Sequence, residues 1–433
     1  MRAQRRLPVR PRVVLVMTAN ALSAFVLSAF VLSACALLPR RVAAPSPVAV
    51  NARAIADSVT TELLASGVTL HRLVNNAAPW RASVLEVDLR TCVSFQAVKG
   101  GSTAVGRRTT SALLASIDAS LRPIAAVNAD FFLFAPPGVP VGPHIENGRL
   151  VSGPIDRGVF ATDSAGRPFI GRLSISAELR STRATIHVSS WNRPAARNIG
   201  VVDANWGIPL DTAVARSAWL LSPIMVPPVG PPVMPAGQLT PSVPAGYLER
   251  LNAPAYVASP LPTWRGGVVT GDTLLLVGLR TPGGGSAPVQ PGDTLRVQRF
   301  YSPLRPQQAV GGMPELVRDS VVRGAVDSVN DAGFRGLNPR TAVGYGSDGK
   351  RVLIAVIDGR QPTYSVGMSL RHTAELFRSL GATHAINLDG GGSSAMVVTD
   401  ARAPKGSRLV THPSDAAGER AVANALAVLK SCR

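Results

Sequence analysis

The feature that most restricts the fold of this chain is an apolar strand that ends in an acid, three glycines and two serines. Within residues 383–398 the apolar run stops at Asp389, which is followed by glycines 390–392 and then by Ser393 and Ser394. Glycine adopts positive φ freely and leaves its amide uncovered, and successive free amides form a concave site for an anion. We therefore expect Asp389 at a strand tip beside a phosphate-binding loop; a simple strand–turn–strand bend is the alternative.

The N-terminus has the pattern of an export signal. Five arginines within residues 2–12 precede an apolar run over 13–34, and Leu32-Ser33-Ala34-Cys35 resembles a bacterial lipobox. The sequence thus predicts a lipoprotein signal peptide over residues 1–35 with Cys35 as the lipidation site. An uncleaved membrane anchor is the alternative, because the apolar run is long enough to span a bilayer. Both place the rest of the chain in the cell envelope, outside the cytoplasm, at the periplasmic or cell-surface side of a membrane.

Two further cysteines, Cys92 and Cys432, remain after Cys35. In an exported chain they predict one disulfide, with two unpaired thiols as the alternative.

The chain is strongly basic, with a formal net charge of +19. Four of its 45 basic residues are lysines and the rest are arginines, which is typical of a biased genome composition. No cluster of basic and aromatic residues occurs, so we do not expect nucleic acid as a partner. A phosphorylated glycan or a lipid headgroup is the anionic partner that this charge would suit.

Three regions follow from composition and periodicity. Residues 36–75 are a tether with a helix over 52–66, where apolar residues recur at helical spacing, and residues 76–433 form the main domain. We place a variable insertion at about 190–305, because eight prolines within residues 223–244 exclude a helix or a central strand there.

The last third of the chain predicts a strand–helix–strand unit. A buried strand over 352–357 ends at Asp358, and a helix runs from Ser369, a good N-cap, to Gly381, a good helix stop. The next strand covers 385–388. Such a unit makes its two strands parallel neighbours with a right-handed crossover. The predicted fold class is therefore mixed α/β, with helices packed on a mixed sheet.

This topology would place Asp358 and Asp389 at the same sheet edge. Neighbouring strands lie about 4.8 Å apart, close to the carboxylate spacing of about 5–5.5 Å in retaining glycosidases. The same pair could instead hold a divalent cation with Asn387 or Asp130 as a further oxygen ligand. We expect no other cofactor, because the histidines lack zinc-like spacing.

Residue type and position suggest three further candidate site residues, two arginines and one glutamate. Arg340 precedes a short strand and Arg360 follows Asp358, and a guanidinium can bind phosphate through two hydrogen bonds. Either arginine could also be an ordinary surface residue in so Arg-rich a chain. Glu375 lies on the predicted helix away from its apolar face, where it is a catalytic candidate or a solvated residue.

Taken together these motifs resemble the phosphodiester glycosidase family. The similar segments are 128–132, 142–148, 311–317, 339–344, 356–360, 369–381, 387–394 and 420–426. The resemblance implies a mixed α/β domain that releases a sugar from a phosphodiester. Carried over by motif position, it implies a site made of Asn128, Arg340, Asp358, Glu375, Asn387, Asp389 and Ser393. Asp130 stands where the family commonly has glycine.

The sequence thus predicts an exported, membrane-anchored hydrolase of carbohydrate metabolism that acts on a sugar-1-phosphodiester in a glycan, lipid or envelope polymer. Asp358, Asp389 and Glu375 are the catalytic candidates. The phosphate-binding candidates are Asn128, Asp130, Arg340, Arg360, Asn387, Gly390, Gly391, Gly392, Ser393 and Ser394. A metal-dependent phosphodiesterase and a non-catalytic glycan-binding lipoprotein are the alternatives.

Overall fold

The computed structural model describes residues 46–153, 157–193, 199–210, 218–226, 253–260, 269–278, 288–328 and 334–431. Of these residues 46% lie in strands and 10% in helices, so the α/β prediction is wrong and the protein is mostly β. The predicted signal peptide, Cys35 and most of the Pro-rich segment lie outside the described residues.

The strands are numbered in chain order. They are β1 Ser58–Ala65, β2 Val68–Asn75, β3 Trp80–Asp88, β4 Val93–Lys99, β5 Pro123–Asn128, β6 His144–Glu146, β7 Arg149–Ser152, β8 Gly158–Thr162, β9 Pro168–Arg172, β10 Ser174–Arg180, β11 Thr185–Val188, β12 Ser190–Trp191, β13 Gly200–Val202, β14 Trp219–Ile224, β15 Ala255–Pro260, β16 Leu274–Val277, β17 Thr294–Ser302, β18 Gln308–Gly312, β19 Glu315–Arg318, β20 Val321–Val322, β21 Arg340–Tyr345, β22 Arg351–Ile357, β23 His384–Asn387, β24 Met396–Thr399, β25 Ser407–Leu409 and β26 Asn424–Lys430. The α-helices among the described residues are α1 Pro47–Ala52, α2 Thr110–Ala115, α3 Ala325–Ser328 and α4 Leu370–Ser379.

Four sheets contain these strands. The central sheet has the order β1-β2-β3-β22-β21-β23-β19-β20, and the terminal sheet has the order β25-β24-β5-β26-β4. The bridging sheet is β7-β6-β18-β8-β9, and the insertion sheet is β11-β10-β17-β15-β14-β16-β13-β12.

The central sheet carries a hydrophobic core on each face. One core joins Leu85 and Ile354 to Val127 and Leu426 of the terminal sheet. The other joins the opposite face, including Leu353, to α1 and α4. Because both faces are covered, every residue from Val352 to Ile357 is buried, and the strand has the continuous apolar run that is usual in parallel sheets.

The predicted strand–helix–strand unit is correct in its elements and wrong in its pairing. Ser369 caps α4 by accepting a hydrogen bond from the His372 amide, and Gly381 has φ +92°. However, β22 and β23 are not neighbours, because both pair antiparallel with β21, which lies between them. Two inter-strand spacings of about 4.8 Å therefore separate β22, which is followed by Asp358, from β23, which ends at Asn387.

The N-terminal helix predicted over 52–66 is also wrong. Helix α1 ends at Ala52, and residues 58–65 form β1, which pairs antiparallel with β2. β-branched Val59, Thr60 and Thr61 favour a strand, and pairing with β2 overrides the helical spacing of the leucines.

The insertion sheet has its own core and overlaps the predicted insertion at about 190–305, but it begins earlier, with β10 and β11. Its strands span Ser174–Ser302, and Leu221, Leu276 and Leu295 pack against bridging-sheet residues such as Leu150. Among the described residues, no helix is long and apolar enough to cross a membrane.

Candidate active site

A cavity of about 230 Å³ opens where β21 begins and β23 ends. Because these strands are antiparallel neighbours, the first residue of one and the last residue of the other meet at one sheet edge. The residues that line the cavity are Phe131, Phe334, Arg340, Arg360, Asn387, Asp389, Gly390, Gly391, Gly392 and Arg420. The structure therefore brings together Arg340, Arg360, Asn387, Asp389 and the glycines that the sequence analysis selected.

The glycine segment is shaped by close approach rather than by free amides. Gly391 has φ +60°, and a Cβ on Gly392 would lie 2.0 Å from Asp415 Oδ1. The Gly390 amide donates to Asp389 Oδ1 at 2.9 Å, and the Gly391 amide donates to Pro339 O at 2.9 Å. The expected concavity of uncommitted amides is thus wrong for these two glycines. Gly391 and Gly392 allow the charged side chains of Arg360 and Asp415 to approach the backbone closely.

Asp389 is the acid of this cavity. Burial raises its pKa to about 6, although the nearby Ser393 hydroxyl, the Gly390 amide and Arg420 favour the ionised form. The residue is partly exposed and lines the cavity, so it can reach a molecule there. At neutral pH most Asp389 side chains are ionised, because the pH is then above this pKa.

Asn128 and Ser394 hold the strand tip from behind. Asn128 Nδ2 donates to Asp389 O at 2.6 Å, and its Oδ1 accepts from Thr341 Oγ1 at 2.8 Å and from the Ala395 amide. The Ser394 hydroxyl donates to Thr341 Oγ1 at 3.3 Å, because the single Thr341 hydroxyl hydrogen is directed to Asn128. Both side chains are buried and neither lines the cavity, so their predicted contact with substrate is not what the structure shows.

Three arginines surround the cavity, each held differently. Arg340 is 2% exposed and donates from Nε to Met368 O and from Nη2 to Phe334 O and Gly336 O. Burial lowers its pKa to about 10, with a smaller effect from Arg360, so it stays charged at neutral pH. Arg360 donates from Nε and Nη2 to Asn338 Oδ1. Arg420 forms two hydrogen bonds with the Asp415 carboxylate.

The Asp415 carboxylate already neutralises the charge of Arg420. The excess positive charge of the cavity therefore comes from Arg340 and Arg360, because Asp389 can balance only one of them. A cavity with this balance suits an anionic group beside Asp389.

Buried oxygen atoms without partners lie beside the same strand tips. Asp130 Oδ2 accepts from the Gly142 amide at 2.7 Å, whereas Asp130 Oδ1 and Asn387 Oδ1 have no hydrogen-bond partner among the described residues. Burial raises the pKa of Asp130 to about 7; the Gly142 amide and Arg157 oppose this shift, and Asp389 adds to it. No group of three or more His, Cys, Asp or Glu residues that could hold a metal ion occurs in the described part of the chain.

Asp358 lies at the end of β22 in different surroundings. Its Oδ1 accepts from the His412 amide at 2.9 Å, and its Oδ2 accepts from Tyr364 Oη at 3.3 Å. Burial raises its pKa to about 6, and the His412 amide is the largest opposing effect. Asp358 does not line the cavity. The expected side-by-side pair with Asp389 is wrong, because β21 separates their strands.

Glu375 and the cysteines stand apart from the cavity. Glu375 lies on α4, near enough to Arg371 to favour the charged guanidinium, and it is not a lining residue. Cys92 is disulfide-bonded, whereas Cys432, the partner predicted from the sequence, lies outside the described residues.

The sequence analysis missed three residues at the site: Phe131, Phe334 and Arg420. Phe131 and Phe334 are in contact, with ring centroids 5.4 Å apart, and form an apolar wall. Phe131 and Arg420 lie within segments that carried the family resemblance, so that resemblance was the available signal. Nothing in the sequence around Phe334 pointed to the cavity.

Comparison with known proteins agrees with this reading of the motifs. Residues 265–429 match the family model described as phosphodiester glycosidase, which confirms the resemblance. The matched range contains Arg340, Arg360, Asp389 and Arg420 but not Asn128 or Asp130. No curated protein matches the chain.

Solved structures are similar to this chain over most of its length. A hypothetical protein from Synechocystis aligns over 87% of this chain at 21% identity with a TM-score of 0.63. This chain covers 64% of that structure's length. A protein from Burkholderia pseudomallei K96243 aligns over 83% of this chain and 76% of its own at 26% identity, with a TM-score of 0.58. The zebrafish N-acetylglucosamine-1-phosphodiester alpha-N-acetylglucosaminidase catalytic domain, auto-inhibited by its pro-peptide, aligns over 87% of this chain and 82% of its own at 16% identity, with a TM-score of 0.40.

Proposed function

On the premise that residues 265–429 belong to a phosphodiester glycosidase domain, we propose that this chain is a hydrolase that cleaves a sugar from a sugar-1-phosphodiester. The bond broken is the one between the anomeric carbon and the phosphate oxygen. The products are a free sugar and a phosphomonoester. The substrate class is a glycan, lipid or envelope polymer with phosphodiester-linked sugars.

One observation carries the proposal: a single partly buried carboxylate, Asp389, shares a small cavity with Arg340 and Arg360. The guanidiniums supply charge for a phosphate group. The carboxylate supplies charge for the oxocarbenium-like sugar that forms as the bond breaks. The Phe131–Phe334 wall offers an apolar face to a sugar ring.

The reaction does not need strong general-acid catalysis. A phosphomonoester leaves as an anion with the bonding electron pair, and its charge grows beside the arginines, where it is stabilised in the transition state. Asp389, ionised at neutral pH, stabilises or attacks the anomeric carbon. Water supplies the hydroxyl of the free sugar and releases a proton.

The proposed role of Asp358 differs from that of Asp389. Its carboxylate accepts hydrogen bonds from the His412 amide and the Tyr364 hydroxyl. We therefore propose that Asp358 positions the loop around His412. The same loop continues to Asp415, which pairs with Arg420. Asp358 thereby acts on the cavity through that loop.

The decisive test is hydrolysis of an α-sugar-1-phosphodiester in ¹⁸O-water by the purified full-length chain. Label in the released sugar is the expected result. Label in the phosphate would support a metal-dependent phosphodiesterase instead, and loss of activity in EDTA would strengthen that conclusion. Binding of the substrate without any product would support a non-catalytic glycan-binding protein.

The proposed location is the cell envelope, with Cys35 carrying the lipid anchor. Metabolic labelling with a fatty-acid analogue tests this: the native chain should take up the label, and Cys35→Ala should lose it. A native chain on the membrane that takes up no label would favour an uncleaved anchor.

A further inference from the structure

A second and larger cavity, of about 890 Å³, lies against the insertion sheet. Its walls come from the start of β7, the residues after β13, and strands β15, β16 and β17. It shares no lining residue with the cavity at Asp389. Its volume lies within the range of about 300–1,000 Å³ that is typical of ligand pockets.

Aromatic residues are concentrated at this cavity. The chain has five tyrosines, and two of them, Tyr256 and Tyr301, line it together with Trp191 and Phe300. Tyr256 and Tyr301 are each partly exposed. Such rings present an apolar face and a hydrogen-bonding edge to a ligand, which is the combination that a sugar ring requires.

The register of β17 explains why the rings and charges meet here. Leu295 and Val297 are buried, and the same face of the strand continues with Arg299 and Tyr301. Tyr256 is paired with Leu295 across the sheet, so it lies on this face too. The core-facing side of the insertion sheet thus becomes the floor of an open, polar cavity.

Exposed guanidiniums line this floor. Arg299 lies over the Trp191 ring at 4.9 Å. Burial raises the pKa of the Tyr301 hydroxyl, and the nearby positive charges of Arg299 and Arg305 oppose this shift. Neither forms a salt bridge with a described residue. The carboxylate of Asp203 is already committed to Trp191 Nε1 at 3.0 Å and to Asn192 Nδ2 at 2.6 Å. Asp272 is the other acid of the lining.

We propose that this cavity is a second saccharide site, which binds a phosphate-bearing sugar segment through Tyr256, Tyr301, Arg299 and Arg305. The inference rests on the proposed function for its ligand class: the segment belongs to the same polymer whose phosphodiester is cleaved at Asp389. The tyrosine rings contact the sugar faces, and the guanidiniums bind phosphate oxygens. Binding here would hold a long substrate on the protein between cleavage events.

The test measures binding separately from hydrolysis. The full-length chain carrying Asp389→Asn is titrated calorimetrically with phosphorylated dextran and with unmodified dextran at fixed salt. We expect binding of phosphorylated dextran that is at least tenfold tighter than binding of dextran. Equal affinity for the two polymers, or no binding of either, would overturn the site.

A pair of variants with equal charge loss locates the binding. Arg299→Ala/Arg305→Ala removes two arginines of the cavity, whereas Arg378→Ala/Arg402→Ala removes two exposed arginines outside it. We expect at least a tenfold loss of affinity in the first and less than a twofold loss in the second, with unchanged melting temperatures. Equal losses would mean general charge attraction and would overturn the proposal.

Asp272→Asn gives a test in the opposite direction. Removing this exposed carboxylate from the cavity should tighten binding of phosphorylated dextran two- to threefold, and weaker binding would contradict the assignment. Hydrolysis of an α-sugar-1-phosphodiester by the chain with native Asp389 is assayed in parallel. A protein that binds phosphorylated dextran at this cavity but releases no sugar from the phosphodiester would refute the proposed function and leave the second site intact.

Discussion

Asp358 and Asp389 each place a carboxylate after a strand, but the groups around the two carboxylates differ. Both acids follow strands of the central sheet, and burial raises the pKa of each to about 6. Asp389 opens onto a cavity with Arg340 and Arg360, whereas Asp358 is occupied by the His412 amide and Tyr364. A raised pKa therefore reports burial here, and the hydrogen-bond partners decide which acid can meet a substrate.

Substitution of each acid by its amide tests this comparison most directly. Asp389→Asn should lower kcat at least a hundredfold, because it removes the carboxylate that faces the reacting carbon. Asp358→Asn keeps an acceptor for the His412 amide and should lower kcat less than tenfold. Steady-state kinetics on one sugar-1-phosphodiester, with melting temperatures as a control for folding, gives both values. Similar losses in the two variants would erase the distinction between the two strand ends.

Gly391→Ala tests how closely the glycine segment approaches Arg360. A Cβ at Gly391 would lie 3.0 Å from Arg360 Nη2, and φ is +60°. Displacing a guanidinium that binds phosphate should raise KM about tenfold, the scale of one charge-assisted hydrogen bond, with a smaller effect on kcat. Gly349→Ala is the matched control, since it has the same φ but nothing within 4 Å of the added Cβ. An equal change in both variants would mean that backbone strain alone is responsible.

The pH dependence of stability tests the buried acid next to Asp389. Folding raises the pKa of Asp130 from 3.8 to about 7, so the native state binds the proton more tightly than the unfolded state does. Its contribution to stability is complete below about pH 4 and is lost as the pH rises through about 7. Asp130→Asn cannot ionise and should show a shallower fall in melting temperature between these pH values. Parallel curves for the two proteins would refute the raised pKa.

Much of the candidate site was predictable, because short motifs specify local chemistry. Residue type and spacing predict the helix cap at Ser369, the end of the helix at Gly381 and the position of Asp389 after a strand. These features depend on neighbours within a few residues of one another.

The fold class was not predictable in the same way, because strand pairing depends on distant residues. A strand buried on both faces has the same apolar run in a parallel or an antiparallel sheet. Strand β21 separates β22 from β23 although it precedes both in the chain, and no local pattern encodes that order. The arginine-lined cavity is a consequence of this order, since it brings Arg340 between the two acidic strand ends.

The smallest expected effect concerns Glu375, which the family resemblance placed in the site. It lies on α4 near Arg371 and does not line the cavity. Glu375→Gln removes a charge near Arg371 and should change kcat and KM less than twofold, because pairs of this kind on an exposed helix contribute about 0.2–0.5 kcal/mol to stability and nothing to the cavity. The assay is the one used for Asp389→Asn, with Arg371→Gln as the control, which removes the neighbouring charge together with its ion pair to Asp327. A tenfold loss in Glu375→Gln without a loss in Arg371→Gln would return Glu375 to the site.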